Sequence, residues 1–365
     1  MKVLCFGSLN IDYVYNVEHF VRSGETISST GMEVFAGGKG LNQSIALAKS
    51  GAGVWHAGMV GEEGDGDFLV ELMKEAGVHT ELVSRAAGKT GHAIIQRDAA
   101  GQNCILLYGG ANQQVTRSQV DRVLEQFSQG DYLILQNEIS EIAYIMEKAH
   151  ERKMKIVLNP SPMDEKIFRY PLSCVDYFIL NETEAEGLCE GEKVCGAESF
   201  CESEKPCGAQ DVFGAEKPCK PQDVCGAESF CEAEKPYGDQ ELLEVLAEKF
   251  PQAGIILTLG AKGSYYRKQD KLIRQDIFRV PVVDTTAAGD TFTGYLIGGL
   301  VQGETPEEAM RQAAKAASIA VSRKGAAPSI PCRAEVAETK ETAAGKTAAE
   351  KTARETEAAG KDASK

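Results

Sequence analysis

The sequence predicts an α/β protein, a three-layer doubly wound sheet with a small β lid beside it. Short apolar runs alternate with helix-length stretches along most of the chain. Strands separated by helices of that length pair in parallel through crossover connections. The alternation fails between His92 and Tyr108, where two strands flank only the polar turn DAAGQN. Such a hairpin fits poorly in a parallel sheet and reads as a separate lid.

In order, the first strand is 3–6, VLCF, followed by the turn GSLNID. The run VFAGGKGLNQ at 34–43 places three glycines around Lys39, a closely approachable loop ahead of a helix at 42–50. A strand at 54–60 and a helix at 67–76 come next, then the lid strands 92–97 and 104–108. Helix 119–127, strand 132–136, helix 141–152 and strands 155–158 and 177–180 resume the alternation. The chain continues with helix 240–249, strands 255–259 and 278–283, and two long helices within 289–323.

The chain has 365 residues, 43% hydrophobic and 25% charged, which excludes a wholly disordered protein. Asp+Glu 54 against Lys+Arg 39 gives a net charge of -15 and argues against broad nucleic-acid affinity. No run reaches membrane-spanning length, and the N-terminus MKVLCFGSLNID lacks the apolar region of a secretory signal. The expectation is a cytoplasmic, reducing compartment with no membrane and no nucleic-acid partner, in which eleven cysteines do not form a disulfide scaffold.

Composition changes sharply twice. Residues 189–236 repeat with a strict six-residue period, and seven of the eleven cysteines lie there; from 334 to 365 the chain is almost entirely Ala, Glu, Lys and Thr. Setting aside these 48 and 32 residues leaves 285, one α/β domain. In the repeat, neighbouring cysteines are separated by five intervening residues, wider than compact zinc pairs. On a helix they would sit roughly 120° from one another, and on a strand they would share a face. Proline and charge inside the units favour an insertion without an ordered core over a small β-solenoid or a thiol or metal module. The tail has helix-favouring residues but no apolar stripe, and reads as a frayed appendage.

Five polar clusters follow apolar strands. In DTTAAGDTFTG, 284–294, the small residues Ala287, Ala288 and Gly289 let backbone amides approach a phosphate, and Asp290 could accept a hydroxyl proton or merely cap the helix. GGKG lacks the spacing of a Walker A loop, so a plain strand-to-helix turn is its alternative. Asn10 and Asp12 follow the first strand, at the carboxyl edge where open sheets hold ligands. NETE, 181–184, could orient Mg²⁺ through water or form an acidic helix start; TLGAKG, 258–263, could lie against a nucleotide or form an ordinary strand exit.

Taken in order, GSLNID, GGKGLNQ, NETEAE, TLGAKG, DTTAAGDTF and VSRKGAAPSIP make the chain resemble the ribokinase group of PfkB-type carbohydrate kinases over nearly all non-repetitive residues. The resemblance implies a ribokinase-like domain over 1–333, interrupted by 189–236 and followed by the tail 334–365. It implies ATP-dependent phosphorylation of a pentose, most simply ribose at its 5-hydroxyl, with Asp290 as general base. Sugar contacts carry over to Asn10, Asp12, Gly38, Lys39, Asn42, Glu138 and Asp290, and the anion hole to Ala287, Ala288 and Gly289. Nucleotide contacts carry over to Asn181, to Thr258, Leu259, Gly260, Ala261, Lys262 and Gly263, and to Gly289. Glu184 would hold Mg²⁺ through water, and Asp284, Thr286, Ala320, Arg323, Gly325 and Ser329 would hold K⁺, several through backbone carbonyls.

The resemblance also implies pairing of two lids in a homodimer. One departure is Ala314, where some relatives carry a polar or imidazole side chain near adenine. His92 in the lid reads as a surface or sugar-adjacent residue, not a base. Two other readings remain, a kinase for another small sugar or nucleoside, and a weakened kinase fold that binds a partner or metal.

Overall fold

VLCF, YLILQ, KIVLN and GIILT are apolar at nearly every position, and strands of that kind need cover on both faces. The computed structural model, which describes residues 1–100, 102–195 and 237–339, gives them that cover. Its strands are β1 (Val3–Phe6), β2 (Asn10–Asn16), β3 (Gly31–Gly37), β4 (Val54–Gly61), β5 (His79–Ala86), β6 (Gly91–Arg97) and β7 (Asn103–Tyr108). They continue with β8 (Tyr132–Gln136), β9 (Lys155–Asn159), β10 (Tyr177–Asn181), β11 (Gly254–Thr258), β12 (Ser264–Lys268) and β13 (Lys271–Gln275). The helices are α1 (Lys39–Lys49), α2 (Asp67–Glu75), α3 (Arg117–Leu124), α4 (Ile142–Glu151), α5 (Glu182–Cys195), α6 (Asp239–Lys249), α7 (Ala288–Val301), α8 (Pro306–Val321) and α9 (Arg333–Glu338).

The large sheet runs β13-β12-β11-β10-β9-β8-β1-β4-β5, parallel except for β12 and β13 at one edge. Alternate residues of each strand serve opposite cores. Leu4, Phe6, Leu133, Leu135, Phe178 and Leu257 pack on one face, while Val3, Cys5, Ile134, Ile179 and Ile256 pack on the other. Phe178 is fully buried, and truncating a side chain of that size to alanine costs about 3–5 kcal/mol.

Register aligns the carboxyl ends of the strands. Gln136 lies opposite Asn159, and Asn181 opposite Thr258, so polar residues that end separate apolar runs share one edge. The lid is a second sheet, β3-β2-β6-β7. Val34, Tyr13, Ile94 and Leu106 stand in one cross-strand row, with Val34 49% and Leu106 68% exposed. Asp12, one residue along, faces the other way.

Several expectations change. The stretch from Asn10 continues as lid strand β2, so Asn10 and Asp12 belong to the lid and not to the carboxyl edge of β1. Gly31–Gly37 and His79–Ala86 are further strands, as are Ser264–Lys268 and Lys271–Gln275. No strand forms at 278–283: Pro281 has no amide to donate, and Val283 and Asp284 bond instead to Val321 O at 2.8 and 3.2 Å. Helix α1 begins at Lys39, placing that residue on the helix and not in the loop before it.

The repeat was expected to leave the domain at 189, but α5 runs to Cys195 and half-buried Cys189 packs on the core. The tail was expected to fray from 334, but α9 docks through Val336 (1% exposed) and the Glu335–Arg323 ion pair at 2.5 Å. The rest of the hexads, 196–236, and the tail from 340 lie outside the described residues. Among the described residues no helix is long and apolar enough to cross a membrane.

Candidate active site

The site is assembled where the end of β1 meets the start of α1. Gly38 has φ +95, a backbone region that a side chain disfavours. At Gly40 an added Cβ would collide with the backbone of Gly7 and Ser8, while Leu41 N donates to Ser8 O at 3.0 Å. These two glycines therefore let α1 start hard against the end of β1. Lys39 N then donates to Glu138 Oε2 at 3.1 Å, and Ser8 Oγ donates to the same oxygen.

Lys39 gathers three acids. Burial pulls its ammonium down, but the charges of Asp290, Glu138 and Glu184 outweigh it and hold the group above its ordinary value. Burial pushes Glu138 up from the usual carboxylate range, with Lys39 and the Ser8 and Lys39 N donors partly offsetting. Asp12, on the inward face of the lid, is raised to about 7 by burial and by the charge of Glu138. Neighbouring Asn10 accepts from Asn112 Nδ2 at 2.7 Å. Asn112 also donates to Leu9 O and accepts from Leu9 N, tying the root of β2 to the body.

Asp290 sits in the first turn of α7. Its Oδ2 accepts from Asn42 Nδ2 and its Oδ1 from Gln43 Nε2, each at 3.0 Å. Ala287 caps the helix with φ +59, a left-handed conformation uncommon for alanine. The first helical bond runs from Thr291 N to Ala287 O at 2.8 Å, so the Gly289 and Asp290 amides precede any intrahelical acceptor. Gly289 faces open space. Amides at a helix N-terminus favour a negatively charged group.

Beside this turn opens a cavity of about 700 Å³, bounded by Thr258, Gly260, Ala261, Gly263 and Gly289 and by an apolar wall that includes Ala314. The 278–283 segment read as a strand supplies part of that wall through Phe278 and Val280. Leu259 is buried beneath it, and the Lys262 ammonium turns away to Glu182 and Asp239. Asn181 ends β10, where its amide N and Nδ2 both donate to Glu184 at 3.0 Å. Glu184 is 5% exposed and also accepts from Asn159 Nδ2 at 3.3 Å.

Behind α7, Asp284 accepts from Thr286 N at 2.9 Å, from Thr286 Oγ1 at 2.6 Å and from Gly325 N at 3.0 Å. Burial raises its pKa, and these donors outweigh burial, leaving it below the usual carboxylate range. Arg323 N bonds to Ala320 O at 3.0 Å, while the Arg323 side chain turns to Glu335. Ser329 is buried with its hydroxyl on Ala326 O at 2.7 Å. Hydrogen bonds thus unite Asp284, Thr286 and Gly325, whereas Ser329 and the Ala320–Arg323 pair make other bonds nearby in sequence.

The family model of the pfkB family carbohydrate kinases matches residues 1–205 and 226–333. The chain belongs to this family. A ribokinase of Staphylococcus aureus (strain COL) is 31% identical over 343 residues, covering 92% of this chain and 98% of its own. The crystal structure of ribokinase from Cryptococcus neoformans var. grubii serotype A in complex with ADP matches with TM-score 0.71 and 30% identity, over 92% of this chain and 99% of that one. Arabidopsis thaliana ribokinase complexed with ribose and ATP matches with TM-score 0.70 and 28% identity, over 92% and 97%.

Within this carbohydrate kinase, the fold brings Gly38, Lys39, Asn42, Glu138 and Asp290 into one cluster beneath the lid that carries Asn10 and Asp12. His92 lies elsewhere on the lid, its ring 4.9 Å from Tyr108 and 5.8 Å from Tyr13. Sequence reasoning passed over Ser8, Gln43, Asn112 and Asn159. Gln43 had a signal, since it follows Asn42 in the GGKGLNQ run; Asn159 had none beyond ending an apolar strand.

Proposed function

We propose that the chain is an ATP-dependent ribokinase, transferring the γ-phosphoryl group to the 5-hydroxyl of D-ribose to give D-ribose 5-phosphate and ADP. The observation that carries this is the Asp290 carboxylate, held by Asn42 and Gln43 at the open start of α7, beside both the polar cluster and the cavity. Asn10 and Asp12 from the lid, and Gly38, Lys39, Asn42 and Glu138 from the body, bind and orient the sugar. Asp290 accepts the hydroxyl proton as the oxygen attacks phosphorus. The amides of Ala287, Ala288 and Gly289 take up charge on the transferring group, and the lid over the sugar excludes water. In such transfers alignment and charge stabilisation do most of the work.

ATP occupies the cavity between Thr258–Gly263 and α7, with Asn181 at its phosphate end; Ala314 offers adenine an apolar surface only. Mg²⁺ fits Glu184: its buried carboxylate is already braced by amide donors, and an ion that keeps most of its waters needs few protein ligands. When bound, the ion offsets phosphate charge during transfer. K⁺ fits the anionic Asp284 loop together with carbonyls around Thr286, Ala320, Arg323, Gly325 and Ser329, and would stiffen the turn that leads to Ala287.

The exposed row Val34, Ile94 and Leu106 supports a homodimer that pairs two lids, in the cytoplasm. Leu106→Arg should then sediment as a monomer where the parent chain sediments as a dimer. A panel of ribose, deoxyribose, fructose and adenosine with ATP and Mg²⁺ tests the substrate. Ribose should give the highest kcat/KM, and preference for another member would move the assignment to a different sugar or nucleoside.

A further inference from the structure

We propose that Gln43 is a positioning residue for phosphoryl transfer, the buried amide that holds the Asp290 carboxylate against the sugar loop. The inference rests on the reading of Asp290 as proton acceptor. Gln43 is 0% exposed, so it acts through Asp290 and not on substrate. Its Nε2 donates to Asp290 Oδ1 at 3.0 Å and to Asn159 Oδ1 at 3.3 Å, and its Oε1 accepts from Gln136 Nε2 at 2.6 Å.

That set of partners allows one orientation. Turned over, the amide would press its oxygen against the oxygens of Asp290 and Asn159, and its nitrogen against the Gln136 nitrogen. Gln136, itself 1% exposed, is anchored by a contact of 3.6 Å to Cys5 Sγ. Asn159 donates onward to Ile179 O at 2.9 Å and to Glu184 at 3.3 Å. The donor on Asp290 is therefore held by the ends of two neighbouring strands, β8 and β9.

Asn42, the other donor to Asp290, differs. Its Oδ1 is buried without a partner among the described residues, so its amide is held from one end only. Gln43 has no such spare atom, and fixes the rotation of the carboxylate whether or not sugar is bound. The other charged or titratable groups facing Asp290 are Lys39 from α1, Glu138 after β8 and Cys5 from β1.

The test compares the full-length protein with Gln43→Met and Gln43→Glu, following ribose-dependent ADP release, with thermal melts to confirm folding. Gln43→Met should lower kcat about 10- to 100-fold, the usual effect of losing an outer-shell orienting group. KM for ribose should stay within about twofold. A kcat within twofold of the parent chain overturns the proposal, as does a parallel rise in KM.

Should the methionine variant not fold, the isosteric Gln43→Glu decides. It keeps the length of the side chain and loses the donor to Asp290, so kcat should fall at least 10-fold with KM for ribose within about twofold, and a kcat within twofold of the parent chain overturns the proposal. Asp290→Asn is the control. Full turnover in that variant removes the base assignment itself, whereas its loss beside an unaffected Gln43→Met removes only the role of Gln43.

Discussion

Lys324 Nζ lies 2.9 Å from Glu33 Oε1, an ion pair that joins lid strand β3 to the loop after α8. Glu33 also pairs with Arg97 of β6 at 2.8 Å, and Lys324 precedes Gly325, whose amide holds Asp284. The lid and the proposed cation loop thus share a joint. The two basic partners and the Lys324 hydrogen bond hold Glu33 below its ordinary carboxylate range.

The strength of that joint is bounded by its exposure. Lys324 is 58% exposed, and solvent and salt screen such a pair. Lys324→Met should therefore leave the melting temperature nearly unchanged. KM for ribose should rise by no more than about fivefold. Steady-state kinetics beside a thermal melt checks both values, and a larger rise would mean that the loop does more than latch the lid.

Asp12 gives a pH dependence with a definite sign. Burial first, and then Glu138, raise its folded-state pKa from 3.8 to about 7. The folded state consequently holds this proton more tightly than the unfolded chain does. The stability it contributes is fully present below pH ~4 and is lost as pH rises to ~7. Asp12→Asn should melt higher than the parent at pH 8, by about 1–3 °C, and match it near pH 4. In the parent, KM for ribose should fall between pH 6 and 8 as the carboxylate ionises and accepts sugar hydroxyls more strongly, and Asp12→Asn should flatten that fall.

The cysteine hexads should be dispensable for chemistry. Residues 196–236 connect the end of α5 to the start of α6, whose first residue, Asp239, pairs with Lys262 of the 258–263 turn. Long surface insertions alter closure entropy only modestly. Replacing residues 196–236 with a short flexible linker should leave kcat within about threefold, measured in the same ADP-release assay. Loss of turnover in a folded deletion variant would assign the repeat a catalytic role.

The central sheet was legible because its strands need cover on both faces, which leaves unbroken apolar runs such as YLILQ and GIILT. GGKG, NETE and DTTAAGD were legible because glycines and acids at the ends of such runs are chemically conspicuous. The 278–283 segment misled, since β-branched residues suit an extended cavity wall as well as a ladder, and Pro281 decides between them only in context. Asn10 and Asp12 were noticed but given to the wrong sheet. Gln136 and Asn159 were illegible for a different reason, and Gln43 was marked only by following Asn42 in GGKGLNQ. Neutral amides acquire a role only when strand register sets them side by side, and β8 and β9 do that far from one another in sequence.

The most direct measurement is ribose phosphorylation by the parent chain and by Asp290→Asn, with ribose binding followed by calorimetry in parallel. The parent should release ADP in step with D-ribose 5-phosphate. Asp290→Asn should keep its ribose affinity within a few-fold while kcat falls about 10²- to 10⁴-fold, as expected for loss of a general base. Equal turnover by the two proteins, or no ribose-dependent ADP from the parent, would contradict the account.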